Sequence, residues 1–353
     1  MRLLLAFSVI MLHTGAPYTF AGGRIAVEMF FMISGFLISY VVNKDAAYSN
    51  PIKFYIARVL RIYPTYYVIA AAMLILFVGE HNRISDFERL PLDLRWLMGV
   101  VNVTIIGQDW TNFIRTPAGM LPLHKFLFDP PAWTLGVELS FYLIAPFIVR
   151  RRPALIALLA ASLGLRLIGW FMGLSDNPWA GRFFPFELVF FVAGALSQQL
   201  VLPWAGGDRR KWLVVPVTVA ALVLVASAMS LPPIEPARTA LVGTCFFMAL
   251  PFIFIFQRQR RWDVAIGDLS YPIYLVHWPV AMVVLELLRR SGLWRASSYP
   301  PMLPFIVTVL AVIAAVVLEA VVGRPVNRLR AELKADHPAL RVRMPLSRRP
   351  PCP

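Results

Sequence analysis

The sequence predicts an all-α membrane protein that crosses the bilayer about ten times. Of its 353 residues, 59% are hydrophobic and 15% are charged, and the mean hydropathy is +0.67. Soluble domains carry roughly 25% charged residues, so this composition excludes a soluble globular protein. Two cysteines, Cys245 in an apolar run and Cys352 near the C-terminus, are too few for a disulfide framework or a metal cluster.

Ten apolar segments are long enough to cross a hydrocarbon core of about 30 Å. They lie at residues 2–20, 24–43, 62–79, 133–150, 153–173, 183–203, 212–230, 239–257, 269–288 and 303–323. A shorter apolar segment at 95–107 is predicted to be re-entrant or interfacial. Because Arg2 precedes an apolar run, the N-terminus also fits a signal peptide, but the nine segments that follow do not fit a secreted product.

Basic residues occur at every second connection between these segments, which predicts that those connections and both termini are cytoplasmic. The basic groups are Lys53 with Arg58 and Arg61, Arg150–Arg152, Arg209–Lys211, Arg258 with Arg260 and Arg261, and the tail from Arg324. With 34 basic against 19 acidic residues, this surplus indicates cytoplasmic loops and anionic lipid rather than nucleic acid. We predict one membrane domain at residues 1–330, followed by a basic, proline-rich and disordered cytoplasmic tail at 331–353.

Two histidines lie deep in apolar segments. His13 follows Arg2 by eleven residues, about 16 Å of helix, which puts it near the middle of the membrane if Arg2 lies at one face. His277 lies about 12 Å into its own segment, so the two imidazoles meet if their helices are neighbours. Ionisable groups at such depth usually serve an ion path, a proton relay or a reaction. The alternative is a hydrogen bond that only packs two helices together.

Three charged residues are further candidates for a site. Glu138 lies about 7–8 Å inside its segment, where a carboxylate either pairs with an arginine or assists a reaction. Arg58 and Arg61 share one helical face, and paired guanidinium groups suit phosphate, although cytoplasmic anchoring is the simpler explanation.

Ser34 and Gly35 indicate close helix packing rather than a nucleophile. No Gly-x-Ser-x-Gly, Walker, His-Glu-x-x-His or dinucleotide motif is present, and no metal site is expected.

Taken together, these motifs resemble the acyltransferase-3 family of bacterial membrane acyltransferases, which includes O-antigen and other polysaccharide O-acetylases. The matching stretches are Arg2 with His13, Val27–Ile38, Phe54 with Arg58–Pro64, Trp133–Pro146, Ser270–Pro279, and Glu319 with Arg324 and Pro325. The resemblance covers residues 2–328 in the order of the family. Glu28 stands where the family commonly has Asp, and Arg2 lies closer to the N-terminus than usual.

The resemblance implies an enzyme of the bacterial inner membrane that moves an acyl group, most often acetyl, from cytoplasmic acyl-CoA to a hydroxyl outside the cytoplasm. The acceptor would be a glycan or a lipid-linked saccharide. Acyl-CoA is then a co-substrate, no permanently bound cofactor is expected, and membrane lipids surround the chain. The competing hypothesis is a transporter or flippase with an intramembrane His/Glu relay, although no internal duplication supports it.

The same resemblance gives the candidate residues their roles. His13 is the general base or a covalent acyl carrier, and His277 or Glu138 orients it or stabilises charge. Arg2, Arg58 and Arg61 bind the phosphates of the donor. A second basic group is a candidate for binding an anionic acceptor at a predicted outer connection, and it consists of Arg289, Arg290 and Arg295.

Overall fold

The computed structural model describes residues 1–45, 48, 50–79, 81–231, 237–258, 261–292 and 299–335, and helices make up its regular structure. The helices of nine or more residues are α1 (Arg2–His13), α2 (Gly22–Lys44), α3 (Pro51–Gly79), α4 (His81–Arg89), α5 (Leu92–Thr104), α6 (Trp133–Ile148), α7 (Arg152–Phe171), α8 (Phe184–Leu196), α9 (Val214–Ala226), α10 (Ala237–Arg258), α11 (Arg261–Arg290), α12 (Leu303–Leu318) and α13 (Arg324–Ala335). No strand occurs in the described ranges. The predicted all-α fold class is confirmed.

Eight helices in the described part of the chain are long and apolar enough to cross a membrane, and they match eight of the ten predicted segments. The other two segments, 2–20 and 212–230, contain α1 and α9. These helices have 12 and 13 residues, which give only about 18–20 Å of helix. The chain is therefore a multi-pass membrane protein, and the cytoplasmic placement of its termini stays a prediction.

The last helix crosses the domain boundary predicted at residue 330. A π-helical turn at Glu319–Gly323 joins α12 to α13, which continues through Ala335. The remaining tail, residues 336–353, lies outside the described residues, so its predicted disorder stays a prediction.

Helix α1 ends at His13 because the next two residues stop it. The Thr14 hydroxyl donates to the carbonyl of Ile10 at 2.7 Å, and Gly15 has a φ of +70°, a left-handed conformation that glycine tolerates. The buried face of α1 packs against α2 and α11. His13 therefore sits at the end of a core helix, next to α11.

Helices α2 and α8 touch through their backbones. A Cβ atom on Gly35 would overlap the carbonyl of Phe191, and a Cβ atom on Gly194 would overlap the carbonyl of Met32. Small residues allow such close approach between helices in a membrane. The packing role predicted for Gly35 is confirmed, and the contact locks α2 to α8 near the centre of the bundle.

A buried ion cluster joins α2, α7 and α8. Arg166 on α7 donates to Oε1 of Glu28 at 2.5 Å and to Oε1 of Glu187 at 3.0 Å, and both carboxylates are inaccessible to solvent. Arg24 adds a bond to Glu28 at 3.3 Å, and the backbone N–H of Gly181 donates to Glu187 at 2.8 Å. The two arginines and the two carboxylates therefore offset one another's charge, as buried charges require.

A small cap with its own hydrophobic core follows α3. The core consists of Leu90, Met98, Val101, Leu123, Phe126 and Leu127. Asn102 holds the cap together, because its amide donates to the carbonyl of Phe126 at 3.1 Å and accepts from the N–H of Phe128 at 2.9 Å. On α5, the side chains of Leu92, Trp96, Val100 and Val103 are exposed at helical spacing. Such an apolar face is compatible with the interfacial segment predicted at 95–107.

Candidate active site

The two histidines singled out in the sequence meet at the end of α1. Nδ1 of His13 lies 2.8 Å from Nε2 of His277, and the two ring planes differ by 7°. His277 is fully buried, whereas His13 is partly exposed. The ring of Trp278 packs edge-on against His13, with the ring centroids 5.4 Å apart.

Hydrogen bonding assigns the tautomers of this pair. Nδ1 of His277 lies 2.5 Å from the carbonyl oxygen of Tyr274, which can only accept, so Nδ1 carries the hydrogen. Nε2 of a neutral His277 then accepts from Nδ1–H of His13. Nε2 of His13 is left with a free lone pair, which is the state that a general base or a nucleophile needs.

A cavity with several polar side chains in its lining lies within the bundle. Helices α1, α2, α3, α6 and α11 enclose it. Its polar lining contains Arg2, Ser34, Arg61, Thr134, Glu138, Tyr142, Ser270, Tyr271 and Tyr274. Two of the predicted donor-binding arginines and Glu138 therefore share one cavity, although they are far apart in the sequence.

Glu138 is held in this cavity by two hydroxyl groups. Ser34 and Tyr142 each donate to its Oε1 at 2.5 Å. Arg2 lies within electrostatic range of the carboxylate. The hydrogen-bonding partners of Glu138 are thus on α2 and on its own helix, and the carboxylate is not bonded to either histidine.

Arg58 and Arg61 occupy different positions despite their shared helical face. Arg61 lines the cavity, whereas Arg58 is buried with its guanidinium 5.5 Å from the ring centre of Phe54 and 5.8 Å from that of Tyr142. Tyr142 thereby separates Arg58 from the carboxylate of Glu138. A cation–π arrangement of this kind fixes Arg58 more firmly than an interfacial anchor requires.

A second cavity adjoins the first, and Arg61 and Tyr271 line both. Its wall also contains Asp268, Glu319 and Arg330. Arg330 carries no signal in the sequence, because a cation at the end of a helix after the last span resembles an ordinary cytoplasmic anchor. Glu319 accepts a long hydrogen bond of 3.4 Å from Asn327.

The predicted site residues thus fall into two groups. His13 and His277 form one group, while Arg2, Arg61 and Glu138 line the cavity. Tyr274 lies between them, because its ring lines the cavity and packs against Phe30, while its carbonyl holds His277. One helical turn of α11 therefore separates the cavity from the histidine pair.

Sequence reasoning also missed a polar group beside His13, formed by Arg182 before α8 and Asp109 before α6. Electrostatic interactions link Arg182 to His13, Asp109 and Tyr274. Burial lowers the pKa of Arg182 to about 10 and raises the pKa of Asp109 to about 6. Both residues lie outside the apolar segments, where a charge attracts no notice, so only the fold reveals their burial.

The basic group predicted at an outer connection is partly neutralised where it is described. Arg289 and Arg290 both donate to Glu286, at 2.7–2.8 Å, so one carboxylate offsets one of two positive charges, and both arginine side chains are largely exposed. Arg295 lies outside the described residues. Among the described residues, no group of three or more His, Cys, Asp or Glu side chains has the arrangement of a metal site.

Comparison with known proteins places the chain in a family. A family model described as an acyltransferase domain matches residues 1–322. The chain belongs to the acyltransferase-3 family. It is therefore a membrane-embedded acyltransferase, as the sequence motifs predicted. No solved structure gives a significant match.

Several named proteins are similar over most of this chain. Nodulation protein 10 of Rhizobium leguminosarum bv. viciae is 27% identical over 88% of this chain and 83% of its own length. Acyltransferase MdmB of Streptomyces mycarofaciens is 24% identical over 87% of this chain and 81% of its own length. Peptidoglycan O-acetyltransferase OatA of Listeria monocytogenes is 22% identical over 84% of this chain, but over only 51% of its own length.

Proposed function

We propose that this acyltransferase moves an acyl group, acetyl in the simplest case, from acyl-CoA to a hydroxyl of a glycan or lipid-linked saccharide. The hydrogen-bonded pair of His13 and His277 carries the proposal, because it supplies a neutral imidazole with a free Nε2 at a partly exposed position. The name of the Listeria relative, a peptidoglycan O-acetyltransferase, supports a glycan acceptor. Membership of an acyltransferase family favours this reaction over the transporter or flippase.

The transfer step uses the free nitrogen of His13. Nε2 accepts the proton of the acceptor hydroxyl while the hydroxyl oxygen attacks the carbonyl carbon of the thioester. The C–S bond of the tetrahedral intermediate then breaks, the acyl group stays on the acceptor oxygen, and His13 returns the proton to the departing thiolate. In a covalent route, the same nitrogen would attack the thioester first and pass the acyl group to the hydroxyl afterwards.

The indole N–H of Trp278 is a buried donor on a ring that packs against the reacting imidazole. This N–H is buried and has no acceptor among the described residues, and the ring contacts His13. Such a donor suits the oxyanion that develops on the thioester carbonyl. His277 orients His13 and stabilises the imidazolium form by accepting from Nδ1–H.

The donor phosphates are assigned to the arginine-lined cavities. Arg2 and Arg61 present two cations to one cavity, and Arg61 continues into the adjoining cavity beside Arg330. Guanidinium groups bind phosphate through charge-assisted, bidentate hydrogen bonds. Arg58 adds positive charge to this region, because its guanidinium lies against the ring of Tyr142. The acyl end of the donor would then extend past Tyr274 toward His13. Tyr274 at the cavity and His277 beside His13 are one turn of α11 apart.

The direction of transfer follows from the basic connections. If these connections are cytoplasmic, the donor enters from the cytoplasm and the acceptor approaches His13 from the opposite face of a bacterial inner membrane. The first helix then leads from the donor side toward the middle of the membrane, since Arg2 lies at one of its ends and His13 at the other.

The decisive experiment measures transfer from radiolabelled acetyl-CoA to the base-labile glycan fraction of washed membranes. His13→Asn keeps a side-chain donor for His277 but removes the free ring nitrogen, so transfer should fall by about 10²- to 10⁴-fold. Binding of acetyl-CoA to the purified variant in detergent should persist. Full transfer by His13→Asn would remove the mechanism, and a wild type that neither binds nor consumes acetyl-CoA would remove the proposed donor.

A further inference from the structure

We propose that Arg182 and Asp109 form an acceptor subsite beside His13 that binds hydroxyl groups of an uncharged saccharide. This inference rests on the acyl transfer proposed above, and it adds the position and the chemistry of acceptor recognition. Neither residue belongs to the motifs identified in the sequence.

Arg182 is held rigidly but retains an unused donor. Its guanidinium lies 4.2 Å from the ring centre of Trp133, and its Nε donates to the side chain of Asn177 at 3.0 Å. Nη1 is buried and has no hydrogen-bond partner in the described ranges. A buried donor without a partner is costly, so such groups are kept mainly where a ligand or water completes them.

Asp109 provides the complementary acceptors. The residue is 1% exposed, and among the residues described neither carboxylate oxygen has a side-chain partner or a well-aligned hydrogen bond, although the backbone N–H groups of Asp109 and Trp110 favour its charged form. Its Oδ1 packs closely over α6, because a Cβ atom placed on Gly136 would come within 2.8 Å of that oxygen. The carboxylate is therefore fixed in place while most of its hydrogen-bonding capacity is unused.

Arg182 connects Asp109 with the reacting imidazole, because it is close enough for its charge to act on both Asp109 and His13. In the described structure, Arg182 is the cation that acts on His13, whereas Arg2 and Arg61 interact with each other in the cavity. An acceptor bound to Arg182 is therefore near the base and away from the donor arginines.

The residues that follow Asp109 and Arg182 in the chain, Trp110 and Phe183, belong to an aromatic cluster. Trp110, Phe113, Trp179 and Phe183 form one cluster, with ring centroids 5.0–6.3 Å apart. Trp110 is half exposed. Flat apolar faces beside a few fixed polar groups are typical of sites that bind small polar ligands, and they suit the C–H faces of a sugar ring.

The charge balance selects the class of acceptor. A hydroxyl group both donates and accepts, so one sugar can donate to Asp109 and accept from Arg182 at the same time. A phosphate offers only acceptors at neutral pH and would be repelled by the carboxylate beside the arginine. The described outer arginines do not offer an alternative anion site, because Arg289 and Arg290 already bond to Glu286.

The test compares Arg182→Gln and Asp109→Asn with wild type in the membrane transfer assay, using endogenous glycan as acceptor and radiolabelled acetyl-CoA as donor. Transfer by Arg182→Gln should fall about tenfold or more, chiefly through a higher KM for acceptor, because a buried charged hydrogen bond is lost. Arg182→Lys should recover part of the transfer. Acetyl-CoA binding to the purified variants should stay within about twofold of wild type, which also verifies folding.

Asp109→Asn distinguishes a neutral acceptor from an anionic one. Removing the charge but keeping one acceptor oxygen should lower transfer to a neutral saccharide by about three- to tenfold. It should raise transfer to a phosphorylated acceptor, because the repulsion disappears. Raising NaCl from about 50 to 300 mM should leave the KM for a neutral acceptor unchanged and increase that for an anionic one.

Two exposed residues near this region serve as matched controls. Arg115→Gln and Asp93→Asn remove the same charges from solvated positions and should transfer as wild type does. Normal transfer by Arg182→Gln, or increased transfer to a neutral saccharide by Asp109→Asn, would overturn the subsite while leaving the proposed reaction intact. A wild type without acetyl-CoA-dependent transfer would instead overturn the reaction and the subsite with it.

Discussion

Among the described residues, the charges around Arg166 and those around Arg182 are both buried, and they are built differently. Around Arg166, the guanidinium donates to Glu28 and Glu187, so cation and anions meet directly, although one oxygen of each carboxylate has no hydrogen-bond partner. Around Arg182, a guanidinium nitrogen and both oxygens of Asp109 have no partner in a well-aligned hydrogen bond, although the two residues are near each other. The first arrangement pairs opposite charges directly and stabilises the fold, whereas the second leaves more capacity for a ligand. Burial of charge alone therefore does not identify a site.

The largest expected effect breaks the ion cluster around Arg166. Arg166→Met would leave the buried Glu187 without a bonded cation and Glu28 with Arg24 alone, which should cost about 3–5 kcal/mol of folding free energy. The melting temperature in detergent should drop strongly, whereas Arg151→Gln, an exposed arginine before the same helix, should melt as wild type does. A stable Arg166→Met variant would show that the cluster does not hold α2, α7 and α8 together.

The next effect concerns the stability cost of the unpartnered carboxylate. Because burial raises the pKa of Asp109 to about 6 from 3.8, the folded state binds its proton more tightly than the unfolded state, and stability falls as pH rises from about 4 to 6. Asp109→Asn removes this loss, so it should gain up to about 3 kcal/mol relative to wild type between pH 4 and 7. Melting temperatures of wild type and Asp109→Asn at about pH 4 and pH 7 measure this gain, and the exposed Asp93→Asn serves as control. If the two proteins differed by the same amount at both pH values, the carboxylate of Asp109 would not be destabilising.

A smaller loss is expected where the histidine pair is broken. His277→Leu removes the acceptor that orients His13 and should lower turnover about 10²-fold, while His277→Gln places an amide oxygen near the same point and should retain more activity. Rates at saturating acetyl-CoA, compared over a range of pH, separate orientation of the base from donor binding. Equal rates for the two variants would show that His277 does not act through His13.

The smallest effect should distinguish the two neighbouring arginines. Arg61→Gln removes a cation that lines both cavities and should raise the KM for acetyl-CoA about tenfold, with a weaker dependence of the KM on salt. Arg58→Gln should raise it less, because Tyr142 separates Arg58 from the cavity. The reverse order would return Arg61 to the role of a membrane anchor.

Much of this fold could be predicted from hydropathy, because long apolar helices carry a strong signal in the sequence. The lengths of α1 and α9 could not be predicted in this way. The turn at Thr14 and Gly15, for example, ends α1 while the apolar composition continues. The meeting of His13 and His277 was foreseen from their depth. The partners of Glu138 were not, because Ser34 reaches it only after α2 and α6 pack side by side.

The residues that were missed share one property. Arg182, Asp109 and Arg330 lie outside the apolar segments, where a charged side chain is expected and therefore carries no information. Only tertiary packing shows that Nη1 of Arg182 and the carboxylate of Asp109 are buried, or that Arg330 faces Arg61 across a cavity. Sequence patterns detect charges placed against the local environment, and these residues acquire their environment from distant parts of the chain.

Helix α2 fixes the spacing between the buried ion cluster and the cavity. It carries Glu28 of the ion cluster and, six residues or about 9 Å later, Ser34 of the cavity. Its backbone contact with α8 at Gly35 and Gly194 fixes its position along α8. Adding even a methyl group at either glycine would push the helix aside, so a change far from any reacting atom would alter the spacing on which catalysis depends.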